Sequence, residues 1–392
     1  MARSPDDIPD ALLRLSLCPE VGPAFLHAAH VAFGSHEAVL GASDAALRAL
    51  PRMGPPRIAA LRAALAEVDP RRERDRMRSC GVRAVVLGDP DYPALLAPLP
   101  HPPWLLWTRG RTESAASDAV AVVGSRHPTA YGRAQSARFA GAAAEAGIVV
   151  VSGGARGIDA EAHRAALRAG GATVAVTGSG LGNPYPPEHA TLFDSVVEGG
   201  GLLVSEFPCD WPPMPPNFPR RNRIVSGMSL AVLVVEASRA SGALITARIA
   251  VEDHGRHVCA VPGPVDSPRS AGCNLAIREG WAEAVLSPED LVAAVRGSSE
   301  RLGRACVAAS DPSTAVEPIE PELAPLVEAV SKVLRRRPDA RIDELSEAVP
   351  EAASRIMVIR TLAELALAHG ARDPAAARVA HADLAGQVQP MA

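Results

Sequence analysis

Six short apolar runs, most of which end at a glycine or a serine, constrain the fold of this chain more than any other feature. They span residues 119–123, 148–151, 173–177, 202–204, 230–235 and 257–261. Amphipathic stretches such as 130–146 and 243–254 lie between several of the runs and predict helices. Strands that alternate with helices are typical of a doubly wound parallel sheet. The sequence therefore predicts an α/β fold, with two further strands expected earlier, at 82–87 and 104–107.

Small residues directly follow the first four of these runs, with Arg126 close behind the first and Glu206 close behind the fourth. The loops comprise Gly124, Ser125 and Arg126 after the first run, Ser152, Gly153 and Gly154 after the second, and 178–180 and 205–206 after the next two. The carboxyl ends of parallel strands meet at one edge of the sheet, so these loops should converge on one crevice. Small residues let a backbone approach closely, and amides at helix N-termini attract phosphate. An anion-binding crevice is therefore expected at this edge.

A cluster of arginines flanked by an aromatic and an amide side chain comes before the fifth run. Its members are Phe218, Arg220, Arg221, Asn222 and Arg223. We expect them on a loop or a first helical turn near the sheet edge. The planar guanidinium fork suits phosphate oxygens, and the aromatic ring either stacks on a base or fills the pocket wall. The other interpretation is that the arginines pair with carboxylates such as Glu206 or Glu236.

Charge and composition exclude several classes of protein. The 392 residues suffice for two or three domains, and the apolar content of 47% is that of a globular protein. The formal net charge of −4 argues against a uniformly basic nucleic-acid binder, so any anion site must be a local patch. Lys332 is the only lysine and no Walker A glycines precede it, which excludes a P-loop ATPase.

No cofactor or metal is expected from the motifs. The third glycine of Gly178, Gly180 and Gly182 comes one residue too early for a dinucleotide-binding motif. The six cysteines form no Cys-x-x-Cys pair, which predicts neither a zinc site nor a redox motif and favours a reducing compartment. No apolar stretch resembles a signal peptide or a membrane span. We expect a soluble cytoplasmic protein.

The composition divides the chain into five parts. They are a small all-α domain at 1–70, the sheet domain at 80–296, a linker at 297–320, a winged-helix-like domain at 321–375 and a loose tail at 376–392. In the first part, glycine turns at Gly22 and Gly54 resemble helix-hairpin-helix or SAM-like modules, which hold a DNA phosphate at a helix N-terminus. Ordinary helix packing with a glycine at the turn is the other interpretation.

The motifs, taken together and in order, resemble those of the DNA-processing protein A family (DprA, also called Smf), the bacterial mediators of natural transformation. The resemblance covers roughly residues 80 to 295. It is carried by Gly124-Ser125-Arg126, Ser152-Gly153-Gly154 with Gly157-Ile158-Asp159, Tyr185-Pro186, Ser205-Glu206, Phe218-Pro219 with Arg221-Asn222-Arg223, Val235-Glu236-Ala237, Ser241-Gly242-Ala243 and Val261-Pro262-Gly263. In one departure, His189 stands where the family usually has an asparagine.

The resemblance implies an extended Rossmann-like domain that binds single-stranded DNA in a positive pocket. It also implies a homodimer and a partnership with the RecA recombinase, which the family loads onto incoming strands. The residues implied at the DNA are Gly124, Ser125, Arg126, Ser152, Gly153, Gly154, Phe218, Arg221, Asn222 and Arg223.

The residue chemistry favours binding without turnover. No Ser/His/Asp spacing specifies a triad. Glu206 either acts as a general acid or base or orients Arg221 or Arg223 through a salt bridge. The alternative function is a nucleotide-processing N-glycosidase of the phosphoribohydrolase type, whose Pro-Gly-Gly-x-Gly-Thr signature is not found in the chain. A scaffold that acts through its helical termini is a third interpretation.

Overall fold

The computed structural model describes residues 2–115 and 118–310. The nine strands of this part are β1 (Arg83–Val86), β2 (Leu105–Gly110), β3 (Ala119–Val123), β4 (Val149–Ser152), β5 (Thr173–Thr177), β6 (Leu202–Ser205), β7 (Ala231–Val234), β8 (His257–Ala260) and β9 (Glu283–Ala284). All eight strands expected from the sequence are present; seven match within a residue or two at each end, and β2, expected to end at 107, continues to Gly110. The short β9 at the sheet edge is the strand that the apolar pattern did not reveal.

The strands form one mixed sheet in the order β1-β2-β6-β5-β4-β3-β7-β8-β9. Strands β3 to β9 pair parallel with one another, whereas β2 pairs antiparallel with β6 and β1 pairs antiparallel with β2. From β3 the chain adds strands first on one side and later, from β7, on the other. This order confirms the extended Rossmann-like, doubly wound sheet and puts its switch point between β3 and β7.

Thirteen α-helices accompany the strands in the described residues. Six precede the sheet: α1 (Asp10–Ser16), α2 (Pro23–Phe33), α3 (His36–Gly41), α4 (Asp44–Arg48), α5 (Pro55–Glu67) and α6 (Pro70–Ser79). The others are α7 (Ala130–Glu145), α8 (Ile158–Arg168), α9 (Ala190–Glu198), α10 (Asn217–Gly227), α11 (Gly242–Glu252), α12 (Ala271–Arg278) and α13 (Pro288–Ser310). None of the described helices is long and apolar enough to cross a bilayer.

Helices cover both faces of the sheet, and successive strand residues alternate between them. Val204 packs with Ile224 of α10 in one buried cluster, whereas its neighbour Leu203 packs with Leu13 of α1 and Ile58 of α5 in the other. This alternation is the period of two that a strand imposes on its side chains. Because both faces are covered, the central strands consist of continuous apolar runs.

The predicted helical N-terminal segment packs directly on the sheet. The Trp107 indole of β2 donates a hydrogen bond of 2.9 Å to Glu73 of α6, and the Cys209 amide donates one of 2.8 Å to the same carboxylate. Burial raises the pKa of Glu73. Residues Met1–Arg296 form one compact unit. The N-terminal helices therefore belong to the same folded unit as the sheet and its edge.

The compact unit ends where the predicted sheet domain ends, but helix α13 continues to Ser310. Residues 297–310, which composition assigns to a linker, are therefore helical. After three small residues this stretch is rich in strong helix formers such as Ala, Arg, Leu and Glu, whose propensity favours continuation. The rest of the predicted linker, the winged-helix-like domain at 321–375 and the tail at 376–392 lie outside the described residues.

Candidate nucleic-acid interface

A cavity of about 970 Å³ lies at the carboxyl ends of the central strands. Gly124 and Ser125, which directly follow β3, form one side of it, and Ser238, which follows β7, forms another. Helix α10 and the first turn of α11 complete the walls. The cavity thus occupies the switch point of the sheet, where strand order reverses and open α/β sheets bind their ligands.

Most of the site residues expected from the sequence line this cavity. They are Gly124, Ser125, Arg126, Gly153, Phe218, Arg221 and Asn222. The arginine cluster lies in helix α10, near its start, and not on a loop. Segments that are about 100 residues apart in the chain therefore meet around one hollow, as the convergence of the loops predicts.

Arg126 and Phe218 form the cationic and aromatic part of the wall. The guanidinium carbon of Arg126 lies 5.2 Å from the centre of the Phe218 ring, a cation–π distance. The Arg126 side chain is exposed, and no carboxylate of the described residues pairs with it. The buried Asp159 of the same cavity interacts with Arg126 electrostatically but forms no ion pair with it, so the Arg126 guanidinium is available to an anion in the cavity.

An aromatic surface continues from Phe218 to Tyr185. The centres of the two rings are 6.0 Å apart, and Arg156 lies 5.7 Å from the Tyr185 ring. Unlike Arg126, Arg156 forms an ion pair, with Glu188. The motif around Tyr185 thus borders the wall that Phe218 provides.

Arg221 is buried beneath the cavity surface and holds the loop after β4. It donates hydrogen bonds to the carbonyl oxygens of Gly153 and Val176 and one of 3.2 Å to Asn222 Oδ1. Burial lowers the pKa of Arg221 to about 10, and the nearby buried Asp159 opposes that change. The guanidinium therefore remains charged at neutral pH. Its Nε and Nη1 donors are committed to the protein, so Arg221 mainly contributes positive potential and holds the loop in shape.

Arg223 points away from the cavity and forms an ion pair with Glu206. It also donates a hydrogen bond of 3.1 Å to the His101 carbonyl. Arg220 lies 4.0 Å from the other Glu206 oxygen. Of the two interpretations of Glu206, this geometry matches the one in which the carboxylate orients arginines. Because its guanidinium is paired with Glu206, Arg223 does not contact a ligand in the cavity directly.

Ser152 and Gly154 support the loop after β4 and do not line the cavity. The Ser152 hydroxyl is fully buried and donates a hydrogen bond of 2.6 Å to the Val122 carbonyl, so it is not directed at a phosphate. Gly154 has a φ of +65°, and a Cβ there would lie 2.6 Å from the Phe193 ring. Its carbonyl accepts a hydrogen bond of 3.0 Å from Nδ1 of the buried His189.

Part of the cavity wall was not predicted from the sequence. Thr129, Ser241 and Arg269 line it, together with the first residues of α11. Ser241 caps that helix by accepting a hydrogen bond from the Ala243 amide, and Ser followed by Gly before an apolar run is a helix-start signal. Arg269 lies in the loop between β8 and α12, where a single arginine among Pro and Ser residues carries no sequence signal.

The cavity is lined by one carboxylate, the buried Asp159, whose pKa is raised by burial, but no nucleophile–base pair of the described residues lines the cavity with it. Ser226 and His254 are hydrogen bonded at 2.9 Å, but Ser226 is fully buried and neither residue lines the cavity. Ser125, which does line it, accepts a hydrogen bond of 3.1 Å from the His127 amide. Within the described part of the chain, no three His, Cys, Asp or Glu side chains are grouped to hold a metal ion. The cavity is thus suited to bind an anion together with an aromatic ring such as a nucleobase.

Comparison with known proteins shows relatives across the sheet domain. Residues 83–296 match the family model described as DNA recombination-mediator protein A. Protein Smf of Escherichia coli (strain K12) is 47% identical over 201 residues, which cover 51% of this chain and 53% of that protein. DNA processing protein DprA of Bacillus subtilis (strain 168) is 37% identical over 215 residues, which cover 55% and 71%. The chain spans about half the length of the first of these relatives.

A solved structure shares the fold. The crystal structure of DNA processing protein A from Streptococcus pneumoniae matches with a TM-score of 0.62 and 30% identity, covering 73% of this chain and 98% of that one. The family match spans more than half of the 392 residues and includes every candidate site residue from Gly124 to Arg223. The chain therefore belongs to the DNA recombination-mediator protein A family.

Proposed function

We propose that this protein binds single-stranded DNA, without sequence preference and without turnover, in the cavity at the switch point of its sheet. The observation that carries the proposal is the exposed Arg126, which has no carboxylate partner in the described residues and lies 5.2 Å from the Phe218 ring. A guanidinium beside an aromatic face offers a phosphate contact and a stacking surface at once. The family description and the names of the relatives support DNA as the ligand.

A single strand fits this wall better than a duplex does. The Phe218 ring can stack on a base only when that base is unpaired and turned out of a helix. Phe218 lies half-buried in a concave surface, which the outer face of a duplex cannot enter. Because phosphates carry no sequence information and every base has a π-face, little sequence preference is expected.

A titration of labelled oligothymidine and of a matched duplex, each over a range of salt concentrations, tests the proposal. The logarithm of the affinity for the single strand should fall with the logarithm of salt by about 0.7 per phosphate contacted. Arg126→Glu should remove most binding, whereas Arg138→Glu, an exposed arginine of α7 outside the cavity, should not. A salt-independent affinity, or equal binding by both variants, would contradict the proposal.

The absence of turnover is part of the proposal and has its own support. Glu206, the carboxylate considered as a general acid or base, is paired with Arg223. Incubation with nucleoside monophosphates should therefore release no free base. A measurable release that Glu206→Gln abolishes would favour the N-glycosidase alternative instead.

We further propose that the bound strand is delivered to the RecA recombinase and that the protein acts as a homodimer in DNA processing during natural transformation. Support comes from the family description, which names a recombination mediator. The test is whether RecA assembles sooner on a strand preloaded with this protein, and whether light scattering gives twice the chain mass. No acceleration of RecA assembly by the wild-type protein would contradict the delivery step.

A further inference from the structure

A second cleft of about 410 Å³ adjoins the cavity and shares Arg126 and Arg269 with it. Helix α7 contributes Arg133 to this second cleft, and helix α8 contributes Arg164. Gly157, with a φ of +80°, brings the start of α8 close to the loop that carries Arg126. The two hollows are thus neighbours along one surface, with two arginines between them.

The charge of the second cleft is strongly positive. Arg126, Arg133, Arg164 and Arg269 line it, all four are exposed, and Glu161 is the carboxylate among the lining residues. Glu161 already accepts a hydrogen bond of 2.9 Å from Arg168, which lies outside the cleft. Such a concentration of guanidinium groups, in a chain with a formal net charge of −4, is a local patch that attracts anions.

The donors of this patch are largely uncommitted. Arg133 donates a hydrogen bond of 2.8 Å to the Pro128 carbonyl from one of its nitrogens. Arg164 and Arg269 form no ion pair with the carboxylates of the described residues. Guanidinium groups that face a common hollow repel one another, and a bound polyanion relieves that repulsion. Arginines that serve only to solvate the surface can spread apart and avoid this repulsion, so their convergence indicates an anion-binding site.

The lining of the second cleft also differs from that of the cavity in kind. The cleft is lined by four arginines and, among the residues described around it, no Phe, Tyr or Trp; its one ring is the His127 imidazole. The cavity, by contrast, is lined by Phe218. A surface in which guanidinium groups predominate is suited first to the phosphates of the backbone. The cavity and the cleft therefore suit different parts of one polynucleotide.

We infer that the second cleft binds backbone phosphates of the same strand, adjacent to the nucleotides held in the cavity. The strand passes Arg126 and Arg269 and continues along α7 and α8, where Arg133 and Arg164 bind its next phosphates. This inference rests on the proposed function and deepens it by giving the strand a path. The protein then binds a longer segment than the cavity alone accommodates.

The test compares the double variant Arg133→Ala/Arg164→Ala with Arg138→Ala, using oligothymidines of increasing length. Arg138 is a matched control because it is exposed on the same helix as Arg133 and lines neither hollow. The double variant should bind the shortest strands like the wild type and long strands about tenfold or more weakly at moderate salt. Its salt slope on long strands should fall by about 1.4, since two phosphate contacts are lost.

Three outcomes overturn the inference. If the double variant matches Arg138→Ala at every length, the strand does not follow this path. If the affinities for short and long strands fall equally, the arginines act only through the electrostatic potential of the cavity. If strand binding is unchanged but binding of inorganic phosphate is lost, the cleft holds a free anion and not DNA. Failure of the wild type to bind any single strand is distinguishable, because it refutes the proposed function itself.

Discussion

The Arg126 guanidinium lies 5.2 Å from the centre of the Phe218 ring, although the two residues are 92 positions apart in the chain. One follows β3 and the other belongs to α10, so only the folded sheet brings them together. The pair combines the two contacts that a single strand offers, a phosphate and an exposed base face. Its two members should therefore contribute to binding in separable ways.

Phe218→Ala should weaken binding of oligothymidine by about 1–3 kcal/mol while leaving the salt slope unchanged, because it removes stacking and no charge. Arg126→Ala should weaken binding and also lower the salt slope by about 0.7. Fluorescence anisotropy at several salt concentrations measures both quantities. Trp281→Ala is the matched control, since Trp281 lies 5.3 Å from Arg248 in a similar pair that does not line the cavity. A changed salt slope in Phe218→Ala would contradict this division.

Arg221→Ala should destabilise the fold, in contrast to Arg126→Ala. Removing the buried guanidinium leaves the carbonyls of Gly153 and Val176 without their donor and takes from the buried Asp159 the larger of its two nearby positive charges, Arg126 being the other. We expect the free energy of unfolding in urea to fall by about 3 kcal/mol, and by less than 0.5 kcal/mol for the exposed Arg126, on the order expected for such sites. Equal stability of the two variants would show that Arg221 is not structural.

Gly153→Ala should impair both stability and binding, because a Cβ there would overlap the Arg221 guanidinium. The side chain must then move and release the loop after β4. Gly141→Ala is the matched control, since Gly141 lies within helix α7 and an added Cβ would meet no atom beyond the adjacent backbone of that helix within 4 Å. That change should be neutral or stabilise the protein by about 0.5–1 kcal/mol. Thermal unfolding and DNA titration of both variants measure the difference.

Glu206→Gln should leave the affinity for single-stranded DNA within about twofold and lower the free energy of unfolding by about 1–3 kcal/mol. The carboxylate is largely buried and paired with Arg223, outside the cavity, so its loss affects packing and not the DNA surface. Urea unfolding and an anisotropy titration measure the two effects. A large loss of affinity at unchanged stability would instead place Glu206 in the binding surface.

The sequence predicts the fold and the location of the site well, because both follow from periodicity. Apolar runs define the strands, and small residues after them, such as Gly124 and Gly153, mark the edge where the loops converge. Side-chain direction is not encoded in that pattern. Arg221 and Arg223 are two positions apart, yet one lies under the cavity and the other faces Glu206. Which residues of a motif face the ligand depends on helix rotation and tertiary packing, and a pattern of residue types does not specify either.

Part of the acid sensitivity should be traceable to His254, alongside the fully buried His163, whose pKa burial lowers to about 3. Burial lowers the pKa of His254 to about 4, below the ordinary value of 6.5. As the pH falls below 6.5, the unfolded chain takes up a proton that the folded chain does not, so stability is lost between about pH 6.5 and pH 4. This residue should account for about 2 kcal/mol of stability lost between pH 7 and pH 5. Urea unfolding at both pH values should show that His254→Gln, which cannot titrate, loses that much less than the wild type. If both proteins lose equal stability, His254 does not titrate as its burial requires.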